Sequence, residues 1–222
     1  MAIRTFIFSA MLSLLASAQT LDPAQFSLKE NPHGPWQYGY SETRSLSPGQ
    51  FRLDKSTGTL GEIGFWHPSV SDSPGPGYYP YVAYNPSKDT QLGSSNGWSA
   101  RSGEFAMEGS NSGQYSIVRF VAPVKGTYSV QAHFAGVHFG LSTTDVHVMH
   151  DEKSLFAAEI EGYGGDPSSH PVQGASPTAN YDGEAKLKAN DIITFAVGYG
   201  KNQTNYGDTT GLFAEVVLIK KH

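Results

Sequence analysis

Phe65, Trp66 and His67 are followed by Tyr78, Tyr79, Tyr81 and Tyr84, with a Gly/Pro-rich stretch between the two groups. Sugars present apolar C–H faces that stack on rings while their hydroxyls take hydrogen bonds, so exposed Trp and Tyr side chains suit glycan binding. Trp66, Tyr79, Tyr81 and, further along, Trp98 are the expected stacking platform. Core packing is the competing reading, because aromatic residues also fill the interior of β-sheet proteins.

A second set lies near the C-terminus, where Tyr199 and Tyr206 flank a polar loop carrying Asn202 and Asn205. Those two amides and the nearby Asp208 have the chemistry to bond sugar hydroxyls. Side chains of this kind equally satisfy their own loop backbone. The sequon at Asn202-Gln203-Thr204 matters only in a eukaryotic host.

Four histidines, His133, His138, His147 and His150, fall close together, without the H-x-H or H-E-x-x-H spacing of a transition-metal site. A solvated sheet face is the expectation for them. Structural calcium fits the residues better than a transition metal, with Asp145 and Asp208 as candidate ligands, although no dense acidic loop accompanies them. No organic cofactor is expected. Catalytic signals are weak: no G-x-S-x-G elbow occurs. Glu104, Glu108, Glu159 and Glu161 could pair across strands as glycoside hydrolysis requires. Arg119, Gln131, His133 and Tyr128 supply the residue types of a polysaccharide lyase, but alternation puts Tyr128 on the face opposite Gln131 and His133.

The elements that must position these groups read as all-β, a β-sandwich or jelly roll. In residues 126–134, Tyr128, Val130, Ala132 and Phe134 share one face and Ser129, Gln131 and His133 the other. Similar alternation marks 145–149, 192–197 and 212–219, where Leu212, Ala214, Val216 and Leu218 form the inward set. Further strands are expected at 36–41, 51–53, 61–66, 80–84, 104–107, 115–121, 155–160 and 185–187. Pro123-Val124-Lys125-Gly126 reads as a tight turn that makes 115–134 a hairpin, and 188–191 as a similar turn. Residues 68–77, 87–97 and 162–180, rich in Ser, Gly and Pro, read as loops.

At the N-terminus, Arg4, an apolar run from Phe6 to Leu15 and the small-x-small pattern Ala16-Ser17-Ala18 predict a cleaved signal peptide at 1–18. The run is shorter than the roughly 20 residues that span a bilayer. A β-sandwich domain is then expected over 19–222, secreted or periplasmic and without a membrane span. Loss of Arg4 takes the formal net charge from −5 to −6, and no basic stripe offers to neutralise phosphates, which argues against nucleic acid as a partner. Cysteine is absent, so disulfides and thiolate chemistry are excluded, and a core of this size needs no such staple.

Several segments taken together carry a resemblance. They are Asn31-Pro32-His33-Gly34-Pro35-Trp36, Tyr115-Ser116-Ile117-Val118-Arg119-Phe120, Gly126-Thr127-Tyr128, Thr143-Thr144-Asp145-Val146-His147, Asn190-Asp191-Ile192-Ile193-Thr194-Phe195 and Asp208-Thr209-Thr210-Gly211-Leu212. The chain resembles a family of secreted bacterial β-sandwich proteins whose domain often precedes a PEP-CTERM sorting signal or accompanies glycan-active enzymes. That family is similar to carbohydrate-binding modules in strand order and turn chemistry, which implies a binding fold and, as partner, a polysaccharide or cell-surface glycan. This chain ends at Lys220-Lys221-His222, without the hydrophobic anchor of that sorting signal. Three functions stand open: a non-catalytic carbohydrate-binding protein, an envelope or matrix structural or adhesion protein, and a jelly-roll enzyme that cleaves glycan.

Overall fold

The computed structural model describes residues 20–21, 26–68, 79–93 and 97–222. The predicted signal peptide, the mature start at Gln19, Tyr78 and most of the loop at 68–77 lie outside the described residues. The strands are β1 (Thr20–Leu21), β2 (Trp36–Ser41), β3 (Phe51–Leu53), β4 (Ser56–Leu60), β5 (Ile63–His67), β6 (Tyr81–Tyr84), β7 (Gln91–Leu92), β8 (Ser99–Ala100) and β9 (Phe105–Glu108). They continue as β10 (Ser116–Val121), β11 (Gly126–Gly136), β12 (Ser142–His150), β13 (Lys153–Tyr163), β14 (Gln173–Ser176), β15 (Thr178–Leu187), β16 (Ile192–Val197) and β17 (Thr210–Lys221).

Two large antiparallel sheets pack face to face as a β-sandwich. The first runs β15-β11-β17-β9-β6-β5-β4, with β1 also beside β17. The second runs β14-β13-β12-β16-β10-β2-β3. Period-two alternation makes one core from their inner faces: Tyr128, Val130, Phe134, Phe105 and Leu212 from the first meet Trp36, Tyr38, Phe120, Val146 and Phe195 from the second. The predicted inward faces of β11 and β17 are buried as expected, with Leu218 packed at the core margin. Among the described residues no helix is long and apolar enough to cross a membrane.

Four expectations are corrected. The segment 115–134 is not a hairpin, because β10 belongs to the second sheet and β11 to the first. The turn at 188–191 likewise carries the chain from β15 in the first sheet to β16 in the second. These two crossings are bonded to each other: Ala122 N donates to Asp191 O at 2.9 Å and Asn190 N to Ala122 O at 2.8 Å. The stretch read as a loop at 162–180 contains β14 and the start of β15, and β7 lies within the one at 87–97.

On the outer face of the first sheet, one row of facing residues crosses seven of its eight strands, all but β1: Gly58, Phe65, Ala83, Ala106, Gly211, Ala135 and Thr178. Its centre is made only of Ala and Gly, leaving a shallow seat. The segment carrying Trp98 and Ala100 fills that seat and packs on Ile63, Ala83 and Ala106 in a small second core. Ser99 N donates to Val137 O at 3.2 Å, which fastens this strap to the end of β11. The strap divides the outer face into two hollows.

Candidate functional site

The first hollow lies over β4, β5 and β6. Alternation along β5 turns Ile63, Phe65 and His67 outward, while Trp66 faces the main core. Gly58 sits under the Phe65 ring; a Cβ there would stand 2.4 Å from Phe65 Cζ, so only glycine lets the ring lie across β4. Tyr79 leads into β6 and Tyr81 begins it, their rings 5.6 Å apart. Trp98 stacks on Tyr81 at 6.3 Å and 26°. These residues, with Thr57, Thr59 and Leu60, line an open cleft of about 460 Å³.

A buried acid underlies the cleft. Glu108 is 4% exposed and accepts hydrogen bonds from Thr209 Oγ1 at 2.6 Å and Tyr81 Oη at 3.1 Å. Burial pushes its carboxyl up to about 8, against the two hydroxyl donors and with help from the charge of Asp208. Burial also raises Tyr79, to about 12, and lifts Tyr81 well above its ordinary range, the Glu108 charge adding to both. The two phenols therefore stay neutral hydroxyls at any physiological pH. His67, held through Nδ1 on Pro68 O at 2.6 Å, is pushed down by burial and opposed by that carbonyl.

Of the predicted platform, the structure brings Tyr79, Tyr81 and Trp98 together and leaves Trp66 apart. Trp66 is 6% exposed in the main core, its Nε1 donating to Ser27 O at 2.8 Å. Trp98 is itself only 7% exposed, held between Tyr81 and Gly93, so its ring is a wall of the cleft rather than an open plate. Phe65 is half-buried in the same cleft. Its place was not separable from that of Trp66 until the phase of β5 was known.

The second predicted set folds as a clamp. Asp208 accepts from Thr143 N at 2.6 Å, from Thr143 Oγ1 at 3.0 Å and from Asn202 Nδ2 at 3.1 Å. Asn202 also donates to Thr143 Oγ1. Asn205 is buried, with its backbone N–H on Asn111 Oδ1. Tyr199 is buried beneath the Arg44 guanidinium, 4.8 Å from its centroid, while Tyr206 is 90% exposed. The Asn202 amide is thus committed to Thr143 and Asp208, and the loop offers the Tyr206 ring to solvent.

Asp145 accepts from Tyr115 Oη, His147 Nε2 and Gly200 N at 2.8–2.9 Å. Burial pushes its carboxyl up, and these donors outweigh that and hold it below the usual range. Asp145 and Asp208, the expected calcium ligands, are each turned onto protein donors. Among the described residues, one group of three with metal-ligand chemistry is His150, Asp151 and Asp191, whose ligand atoms lie within 4.8 Å of one another. The four glutamates do not pair as two acids across strands. Glu104 and Glu108 stand on the outer side of the first sheet, and Glu159 and Glu161 on that of the second, flanking the inward Ile160. Arg119, on the second sheet against Phe51, and core Tyr128 are likewise far from Gln131 and His133 in direction.

No protein-family model matches the chain, and no curated protein does. Similar solved structures include a CBM51 module from a Clostridium perfringens GH95 protein in complex with methyl-galactose. It shows 7% identity and a TM-score of 0.37 over 89% of this chain and 99% of that one. A CBM51-2 and INT-domain structure from Clostridium perfringens ZmpB, in complex with GlcNAc, shows 10% identity and a TM-score of 0.38, covering 75% of this chain and 40% of that one. A family 35 carbohydrate-binding module from an environmental isolate shows 17% identity and a TM-score of 0.32, covering 58% and 83%.

Proposed function

We propose that the protein is an exported, non-catalytic β-sandwich that binds a polysaccharide or cell-surface glycan in the cleft between β4 and the strap. The observation that carries this reading is the convergence of Phe65, Tyr79, Tyr81 and Trp98 on one open hollow of about 460 Å³. Apolar ring surface beside the hydroxyls of Thr57 and Thr59 matches a sugar's alternation of C–H faces and hydroxyls. Export rests on the leader pattern at 1–18.

The test is a panel of soluble polysaccharides titrated against the wild type and Tyr79→Ala, with released reducing ends assayed in parallel. A stacking contact is worth about 0.5–1.5 kcal/mol beyond area burial, so Tyr79→Ala should weaken glycan binding by a few-fold to about tenfold without lowering Tm. Trp66→Ala should instead cost about 3–5 kcal/mol of stability, because it empties a core position. Release of reducing ends would make the protein an enzyme. A wild type that binds no glycan would leave the structural or adhesion reading, and a Tyr79→Ala variant that binds as tightly as the parent would remove the binding site from this cleft.

A further inference from the structure

The second hollow on the same outer face lies over β15, β11 and β17, across the strap from the aromatic cleft, and encloses about 550 Å³. Register builds it in rows. His133 stands between Asn180 and Phe213, and Gln131 between Asp182 and Glu215. His133 donates from Nδ1 to Asn180 Oδ1 at 2.6 Å, which fixes that ring and leaves the Asn180 amide as a donor. His133 also stacks on Phe213, at 6.4 Å and 29°, while Arg101 lies over the Phe213 ring at 4.8 Å and closes the groove on the strap side.

Charge selects the ligand. Asp182 and Glu215 are exposed, and neither carboxylate has a hydrogen bond or ion pair among the described residues. They flank Gln131 at two interstrand spacings, about 10 Å apart. Arg101 does not neutralise them, since its guanidinium is committed to the buried Glu104, 2.6 Å away. The outward lysines of this face, Lys186 and Lys220, stand with Thr127 two rows further along, beyond the groove lining. The hollow therefore combines a ring wall, three amide and imidazole side chains in register, and two unpaired carboxylates.

From this we infer that the groove over β15, β11 and β17 is a second glycan site, and that its ligand is a polysaccharide carrying free amino groups. Ring surface and in-register amides suit a sugar chain, and the two carboxylates are placed for ammonium groups along it. The inference shares with the proposed function only its ligand class, since no residue of the aromatic cleft takes part.

The experiment titrates the full protein with oligosaccharides of glucosamine, N-acetylglucosamine and glucose, and with oligolysine, at a pH where the free amines are charged. The glucosamine oligomer should bind most tightly. The double variant Asp182→Asn/Glu215→Gln should lose about tenfold or more of that affinity and most of its salt dependence. A control of equal charge change, Asp89→Asn/Glu152→Gln, should lose little, and all three proteins should melt alike. Equal binding of the acetylated or glucose oligomer, equal binding of oligolysine, or an acid variant no worse than the control would each overturn the inference. Glucosamine binding lost in Tyr79→Ala but kept in the acid variant would sink the second site and spare the first. Glucosamine binding lost only in the acid variant would support the second site and leave the first to the polysaccharide panel.

Discussion

Glu108 shows how one residue couples the cleft to stability. Its carboxyl would titrate near 4.5 in the unfolded chain, and burial raises it to about 8 in the folded protein. Below that window both states hold the proton, and above it neither does. Between the two values the unfolded chain has released a proton that the folded protein keeps, so stability falls as pH rises, by up to about 1.4 kcal/mol per pH unit. Glu108→Gln removes the titration while its carbonyl still accepts from Tyr81 and Thr209. Melting the pair across this range should show the wild type losing Tm toward alkaline pH relative to the variant. Parallel curves would mean that Glu108 is ionised in the fold. Asp54 shares the sign, being buried with both side-chain oxygens unpartnered among the described residues and its carboxyl raised well above the usual range by burial.

Among the elements, the strap is the piece on which both hollows depend, and its seat is made by what is missing. Ala83 and Ala106 leave room above the sheet that Trp98 and Ala100 occupy, and Gly211 leaves room for the Glu104 carboxyl beside them. Ala106→Leu should lift the strap at a cost of about 1–3 kcal/mol. Hydrogen exchange should then report it: the Ser99 amide, bonded to Val137 O, loses protection while β11 and β17 keep theirs. An unchanged Ser99 amide would show that the seat tolerates the bulk. Little of this was legible in the sequence. Alternation disclosed the inward faces of β11, β16 and β17, because their apolar residues recur at every second position. Ser56–Leu60 and Gln173–Ser176 carry no such pattern, being polar or small strands without a buried side chain, and stayed hidden. Turn chemistry at 123–126 and 188–191 disclosed a reversal of direction but not a change of sheet, since Pro, Gly and Asn act only on local backbone. Tyr79, Tyr81 and Trp98 stood out as rings. The spacing of Glu108 gave no sign of its burial, because its cover comes from elsewhere in the chain, and Asn180 and Phe213 meet only through register with His133.

The whole molecule is a sandwich with one main core shared by two sheets, and its pairings are distant in sequence. β2 lies beside β10, β11 beside β17, and the first strand, β1, beside the last. No stable half exists in such an arrangement: removing either sheet strips the inner face of the other, where Phe105 and Phe134 meet Tyr38 and Phe195. Unfolding should therefore be one cooperative transition, with coincident curves from tryptophan fluorescence and far-ultraviolet circular dichroism. Loop-closure entropy must be met before these distant strands reward it, so refolding should take milliseconds to seconds or longer, as for other all-β topologies. The small outer core around Trp98 packs on a sheet that is already complete, so its loss need not unfold the sandwich. Hydrogen exchange under mild denaturant should then open the strap before the β11–β17 ladder. Two resolved global transitions, or a strap protected as strongly as that ladder, would show that the sheets or the strap are coupled differently from the way one shared core requires.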